Sequence, residues 1–371
     1  MDFTLSEEQQ LLQDSARKFL RDNFDVEKRR NRARKGDNLD ASMWAQFAEL
    51  GFLAMPFSEE DGGLGGGVVE NMLLNEELGR TLVLEPYLAN VLLAGGVLSQ
   101  ASEKQKADYL APLIEGRLQS ALAVEEYGQA FNPAESNVNF ASEGSQVVLN
   151  GEKDCVLNAN HAEIIIVPAR SNGDGEPGLF IVPHDAPGVS IGEHRLVNGQ
   201  GAGRIKLKDV RVDTGNRIAG DANAILDNTL KRAWLAMGAQ ALGAMVPLQE
   251  GTLEYTKERK QFGLPLSAFQ VLQHRMVDMF IACEQFRSLL LAATLKYQEG
   301  HEDADFAIHA MKARIGVTGR KVAHDAVQIH GGMGMTDEMA VGHYFKHLVA
   351  LDLLLGNADQ HQARLYQGTP E

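Results

Sequence analysis

The stretch QIHGGMGMTDEMAVGHYFKHLVALDLLLGN, Gln328–Asn357, decides how the chain is read. An apolar-periodic run reaches Gly331-Gly332, stops, crosses a short loop and resumes. That periodicity predicts helices on both sides. Two adjacent glycines remove two Cβ atoms and open the backbone to close approach. A second stretch, YTKERKQFG (Tyr255–Gly263), ends another helix with Lys257, Arg259 and Lys260, and Gly263 permits a sharp turn. Arg259 there suits the negative end of a helix dipole. It suits a bound anion equally well, and these residues alone leave both readings open.

Working outward, residues 221–371 read as a C-terminal four-helix bundle. One helix runs from near Asp221 to Arg259, with Pro247 as a kink. Ser267 and Gln270 form a capping box, with Leu266 and Val271 as a staple, for a second helix ending near Gly300. A third runs from about Asp303 to His330 and a fourth from about Asp337 to Leu365. Such lengths predict an extensive subunit interface. Residues 119–220 carry short β-rich runs (Gln146–Leu149, Ile164–Val167, Leu179–Val182, Ile205–Val212) between turn formers. Asn150-Gly151 predicts a hairpin turn, and the region reads as an antiparallel β-barrel or sandwich. Gly199–Gly203 reads as a turn. Residues 1–118 read as an all-α domain, with capping boxes at Ser6–Gln9 and Ser102–Gln105. The glycine run Gly62–Gly67 reads as a flexible connection, since no strand precedes it. The fold class is therefore α+β and multi-domain: helical, β, helical.

The formal net charge of −15 argues against a nucleic-acid surface. Two cysteines, Cys155 and Cys283, supply neither a disulfide framework nor a zinc site, and fit a reducing, cytoplasmic setting. The acidic, polar start is unlike a secretory signal. No apolar run reaches membrane-spanning length, and Val91–Leu98 reads as a buried helix. His343 and His347 share a helix face, but without a third ligand they read as ordinary surface or interface histidines.

Taken together, Tyr-x-x-x-Arg-x-Gln-Phe-Gly, Gln-Ile-His-Gly-Gly-Met-Gly-Met-Thr and the helical–β–helical order resemble the acyl-CoA dehydrogenase family. Asp61–Gly65, Glu76–Arg80 and Leu149–Lys153 extend the resemblance over almost the whole chain. It implies an FAD-dependent oxidoreductase of fatty acid metabolism that desaturates an acyl-CoA thioester and passes electrons to a separate acceptor. It implies that Arg259 contacts the FAD diphosphate, with Gln261 and Phe262 beside it. Gln328, Gly331 and Gly332 match the segment that a neighbouring subunit offers to the same cofactor. Val124, Glu125 and Asn158 match the flavin-ring region. There Glu125 replaces a common threonine, and Cys155 and Leu157 stand in a segment that usually reads Trp-Ile-Thr-Asn.

The family uses a carboxylate to remove the α-proton. Its usual positions fall on Leu355 and on Ala233, neither of them a base; Gln240, two turns on, is not one either. Asp352 and Glu125 are the substitute candidates; of the adjacent Glu125 and Glu126, one is expected to meet flavin or substrate and the other to face solvent. The pattern Met335–Lys346 with Gly356–Asp359 resembles the small subunits of two-subunit members, such as the pimeloyl-CoA type. The expectation is a subunit of an α2β2 heterotetramer whose paralogous partner supplies the base. A self-sufficient homotetrameric enzyme with an unusual base, a flavin monooxygenase of the same fold, and a non-catalytic acyl-CoA-binding subunit are the alternatives.

Overall fold

The computed structural model describes residues 5–173 and 175–367. Helices α1 (Glu7–Asn23), α2 (Val26–Lys35), α3 (Ala41–Glu49) and α4 (Val68–Arg80) come first. A π-type helical segment, Tyr87–Ala94, runs into α5 (Gly95–Leu98), and α6 (Glu103–Gln105) and α7 (Ala111–Ile114) follow. Strands β1 (Ser120–Leu122), β2 (Asn139–Glu143), β3 (Gln146–Leu157), β4 (Ile164–Ser171), β5 (Pro177–Pro183), β6 (Val189–Arg195), β7 (Gly201–Asp213) and β8 (Arg217–Ile218) make the middle region. Then come α8 (Ala222–Glu258), a small hairpin of β9 (Lys260–Gln261) and β10 (Leu264–Pro265), and α9 (Gln270–Gln298). The chain closes with α10 (Ala304–Arg314), α11 (Arg320–His330), α12 (Ala340–Leu353) and α13 (Ala358–Gln367). Two compact units result. One holds the described residues up to Arg32, Val68–Val83 and those from Trp234 onward; the other holds Ala33–Gly67 and Leu84–Ala233.

In the first unit, α4 and α8 cross at glycines. A Cβ on Gly79 would lie 2.2 Å from the Gln240 carbonyl oxygen, and one on Gly243 only 1.9 Å from that of Glu76. The backbones thus approach closer than any side chain permits. The glutamates beside the crossing are buried but paired: Glu77 with Arg17 at 2.8 Å and Arg80 at 3.4 Å, Glu76 with Arg287 at 3.3 Å. Buried carboxylates are tolerated because these cations and hydrogen bonds replace water.

The second unit is built on an eight-stranded sheet in the order β6-β7-β3-β2-β4-β5-β8, with β1 beside β4. Its core is branched and aromatic: Leu149, Ile165, Val167, Phe180, Val182 and Ile205 are all fully buried. Most pairings are antiparallel, as β-runs without intervening helices predict, but β4 runs parallel to both β1 and β2. Those two contacts join segments that no tight turn could link.

Several local expectations need correction. Asn150-Gly151 lies inside β3, where Gly151 (φ 141°) serves a bulge; the turn comes earlier, at Gly144-Ser145. Asn150 locks the bulge through Asp209, accepting its backbone N–H at 2.8 Å. Both early capping boxes form. The box at Ser267 does not: a 3₁₀ turn at Leu266–Ala268 delays the helix until Gln270, and Val271 stays 65% exposed, so there is no staple. Gly62–Gly67 is not a loose tether, because Gly63 packs so tightly on Phe57 that a Cβ would sit 2.2 Å from its carbonyl oxygen. Gly199 falls in a turn, whereas Gly201–Gly203 already belong to β7. Pro247 is accommodated within a continuous α8. The third helix carries a π-type turn at Ile315–Gly319. The fourth is broken into α12 and α13 at Leu354–Asn357, where Leu355 (φ 53°) and Gly356 (φ 91°) turn left-handed. His343 and His347 are buried rather than superficial.

Candidate active site

The Arg259 turn follows from how α8 ends. The Arg259 amide donates to the Tyr255 carbonyl at 2.9 Å, and the Arg259 carbonyl accepts from Leu266 at 2.8 Å. Between them, Gln261 pairs with Leu264, so Phe262 and Gly263 form a two-residue loop with φ of 55° and 82°. Such loops need positive φ at both positions. Glycine adopts it freely, but for phenylalanine it is uncommon and strained. The strained ring is 91% exposed, and Arg259 and Gln261 are exposed with it. In the same unit Gln328, Gly331 and Gly332 are also exposed. Gly331 needs its φ of 62°, and a Cβ on either glycine would meet nothing within 4 Å. This chain therefore presents a guanidinium, an aromatic ring and open backbone, a donor set that fits a dinucleotide diphosphate.

The turn carrying Leu355 is closed instead. Leu355 is 2% exposed. Its carbonyl accepts the Trp234 indole N–H at 2.9 Å and faces His361 Nε2 at 3.1 Å. A carbonyl only accepts, so His361 carries its proton on Nε2. Its Nδ1, 2.8 Å from His309 Nδ1, must then accept from that ring. Burial, followed by the nearby Lys312 charge, pushes the His361 pKa down to about 3. Lys312, fully buried, donates to the carbonyls of Leu351 (3.1 Å), Asp352 (3.1 Å) and Gly356 (2.7 Å). One ammonium thus replaces the amides that a continuing helix would have supplied. Asp352 is 1% exposed. Its Oδ1 accepts the Ala358 N–H at 3.0 Å, and its Oδ2 is paired with Arg320. Gln240 donates to Asn75 at 2.9 Å.

In the second unit, Val124 is buried and Glu125 half-buried. The Glu125 carbonyl accepts from Asp154 at 3.0 Å, which ties the segment to β3 beside Cys155. Burial, reinforced by Glu125, raises the Cys155 thiol to about 12, so it is an inert thiol. Glu126 does not face solvent: it is buried against Lys153, whose ammonium also donates to Ser136 at 2.9 Å. Asn158 (φ 64°) is 1% exposed and donates to Gln119 and to the Ser120 carbonyl, each at 3.1 Å. Ala233 is fully buried. Among the described residues there is no metal-binding cluster, and no helix is long and apolar enough to cross a membrane.

Lys312, His361 and His309 were not singled out by sequence reasoning. Lys312 left a weak signal, a lysine between Met311 and Ala313 in the helical run IHAMKARI, which Arg314 shares. The histidines left none, because their partners lie far away in sequence.

Three family models cover the chain: the N-terminal domain of acyl-CoA dehydrogenase over residues 6–117, the middle domain over 121–210 and the C-terminal domain over 222–367. A probable acyl-CoA dehydrogenase, YngJ, of Bacillus subtilis is 29% identical over 97% of both chains. The crystal structure of the ChsE4-ChsE5 complex from Mycobacterium tuberculosis superposes with a TM-score of 0.90 at 26% identity, covering 100% of both chains. The FAD complex of PigA does so with a TM-score of 0.91 at 26% identity, covering 99% of this chain and 98% of that one. The chain is therefore a member of the acyl-CoA dehydrogenase family, FAD-binding oxidoreductases acting on the CH–CH group of acyl-CoA.

Proposed function

We propose that this chain is the base-less subunit of a two-chain acyl-CoA dehydrogenase, holding FAD while a paralogous partner removes the α-proton. The observation that carries this is the sealed turn. At one expected base position stands Leu355, buried with its carbonyl clamped by Trp234 and His361. At the other stands Ala233, also buried. Asp352 is unsuited to replace them, since one oxygen caps α13 and the other meets Arg320. General base help is worth roughly 10²- to 10⁴-fold. Abstraction next to a thioester without it falls below useful turnover.

FAD, when bound, accepts the β-hydrogen as hydride. Gln328 and Gly331-Gly332, first expected to serve a neighbouring subunit's cofactor, lie in the same unit as Arg259 and are read here as facing the same FAD. Arg259 would neutralise the diphosphate, Gln261 and Gln328 would hydrogen-bond along it, and Gly331-Gly332 would let it lie close. Exposed Phe262 would cover it from water. Val124, Glu125 and Asn158 shape the ring region; the half-buried carboxylate of Glu125 disfavours added negative charge there. An apolar strip on α9, with Val277, Phe280 and Ile281 each 45% exposed or more, supports association with further subunits. The likeness to the ChsE4-ChsE5 complex, an assembly of two differently named chains, supports a paralogue as the partner. Reoxidation then falls to a separate electron acceptor.

The test is to purify the chain alone and together with a same-fold chain encoded beside it. Both preparations are assayed for bound flavin and for acyl-CoA-dependent reduction of an artificial acceptor. Flavin in both with turnover only in the pair is the expected result. Turnover by the single chain that vanishes in Glu125→Gln would instead mark a self-sufficient enzyme. Arg259→Ala should lose flavin; full retention sinks the assigned cofactor contact.

A further inference from the structure

We infer that Tyr255 and His330 form an aromatic strut that sets the spacing between the two cofactor-facing turns, which makes them positioning residues for FAD. The inference rests on the reading that Arg259 and Gly331-Gly332 both face that cofactor. Tyr255 lies one helical turn before Arg259, whose amide donates to its carbonyl. His330 is the last residue of α11, directly before Gly331. Their rings stack, with centroids 4.2 Å apart and planes 22° from parallel, and the Tyr255 hydroxyl reaches the His330 carbonyl at 3.5 Å. Both turns are exposed, whereas His330 is 4% exposed and Tyr255 half-buried. The stack therefore lies beneath the surface that both turns present.

The orientation of His330 is fixed as well. Its Nδ1 lies 2.8 Å from the Ala326 carbonyl, which can only accept, so Nδ1 carries the proton. The ring stays neutral because burial disfavours its charged form. A neutral, tethered imidazole stacks as a flat aromatic surface. Among the described residues, no hydrogen bond or ion pair joins the 259–265 hairpin to the 331–335 turn. The strut thus joins the two turns at their bases, alongside the Arg275–Asp325 ion pair (3.6 Å) between the helices that follow the hairpin and precede Gly331. It keeps a guanidinium and a glycine pair at a constant distance. A rigid diphosphate bridging them needs that distance preset.

The experiment uses the full chain in its native assembly, stripped of flavin and titrated with FAD while flavin fluorescence is followed. His330→Ala and Tyr255→Ala are expected to weaken FAD roughly tenfold. His330→Phe and Tyr255→Phe, which keep a stacked ring, should stay within about twofold of wild type. A structural role alone would not be rescued by ring shape while melting temperatures stayed equal. If the alanine variants do not fold, His330→Leu serves instead. Hydrogen exchange of the flavin-free protein should then show the amides of 260–264 and 331–335 loosening together. Wild-type FAD binding in the alanine variants, or Phe variants as weak as Ala, overturns the strut. Arg259→Ala separates the two failures. If Arg259→Ala loses FAD while the alanine variants bind normally, the strut alone is wrong. If Arg259→Ala binds normally, the cofactor reading falls and the strut's role falls with it.

Discussion

Replacing Lys312 with methionine tests whether the closed turn is held as described. Methionine keeps most of the stem volume, so the loss is the ammonium and its three bonds to Leu351, Asp352 and Gly356. Each charge-assisted bond is worth about 1.5–3 kcal/mol net, and three would suggest more than 4. Against that, removing a buried ammonium recovers several kcal/mol of desolvation. What remains is the cost of carbonyls left without donors, about 1–3 kcal/mol each. The balance is a destabilisation of about 3 kcal/mol. Trp234 reports it directly, because its indole donates to the same turn. In a Trp44→Phe background, Trp234 is the remaining tryptophan. Urea unfolding followed by its emission should show the loss, and Lys312→Arg, which keeps the charge, should fall between the two. A methionine variant within about 0.5 kcal/mol of wild type, with unchanged Trp234 emission, would refute the idea that one cation closes this turn.

Three further outcomes follow from the geometry. His347 and His361 have folded pKa values pushed to about 3, so the unfolded chain binds their protons first as pH falls below about 6.5. Stability is full above that pH and declines towards 3; His347→Phe should flatten the slope by on the order of 1.4 kcal/mol per pH unit between pH 4 and 6, and an unaltered slope would exclude that histidine. Gly243→Ala should cost about 1–3 kcal/mol in urea unfolding, because its methyl would land on the Glu76 carbonyl; a neutral effect would mean that α4 and α8 separate easily. Phe262→Gly should relieve the positive-φ strain, stabilising the protein by up to about 1 kcal/mol while weakening FAD; a change in the same direction for both would count against its cofactor role.

What the sequence could reveal depended on how far each signal travels along the chain. Ser6 and Ser102 were legible as caps because both partners of a capping box lie within four residues. Ser267 carried the same pattern and misled, since the 3₁₀ turn before α9 had already changed the register. Asn150-Gly151 misled for a related reason: a bulge and a hairpin need the same left-handed freedom, and only the partner strand β7 distinguishes them. The Arg259 and Gly331 turns could be located from residue types alone. Their shared foundation could not, because Tyr255 and His330 are 75 positions apart and neither looks unusual in its own helix.

Leu355 shows the limit most clearly. The missing carboxylate is plain in the sequence, but absence alone does not distinguish a relocated base from an abandoned one. The distinction comes from residues brought in from elsewhere. Lys312 holds three carbonyls of the turn, Trp234 and His361 share a fourth, and Arg320 with the Ala358 amide occupies Asp352. A relocated base would need a carboxylate with an oxygen left for substrate. The turn offers none, and its polar groups are already matched to one another. A relocated base in this chain would therefore have to lie outside this turn, and Glu125, half-buried in the other unit, is the position that the Glu125→Gln variant tests.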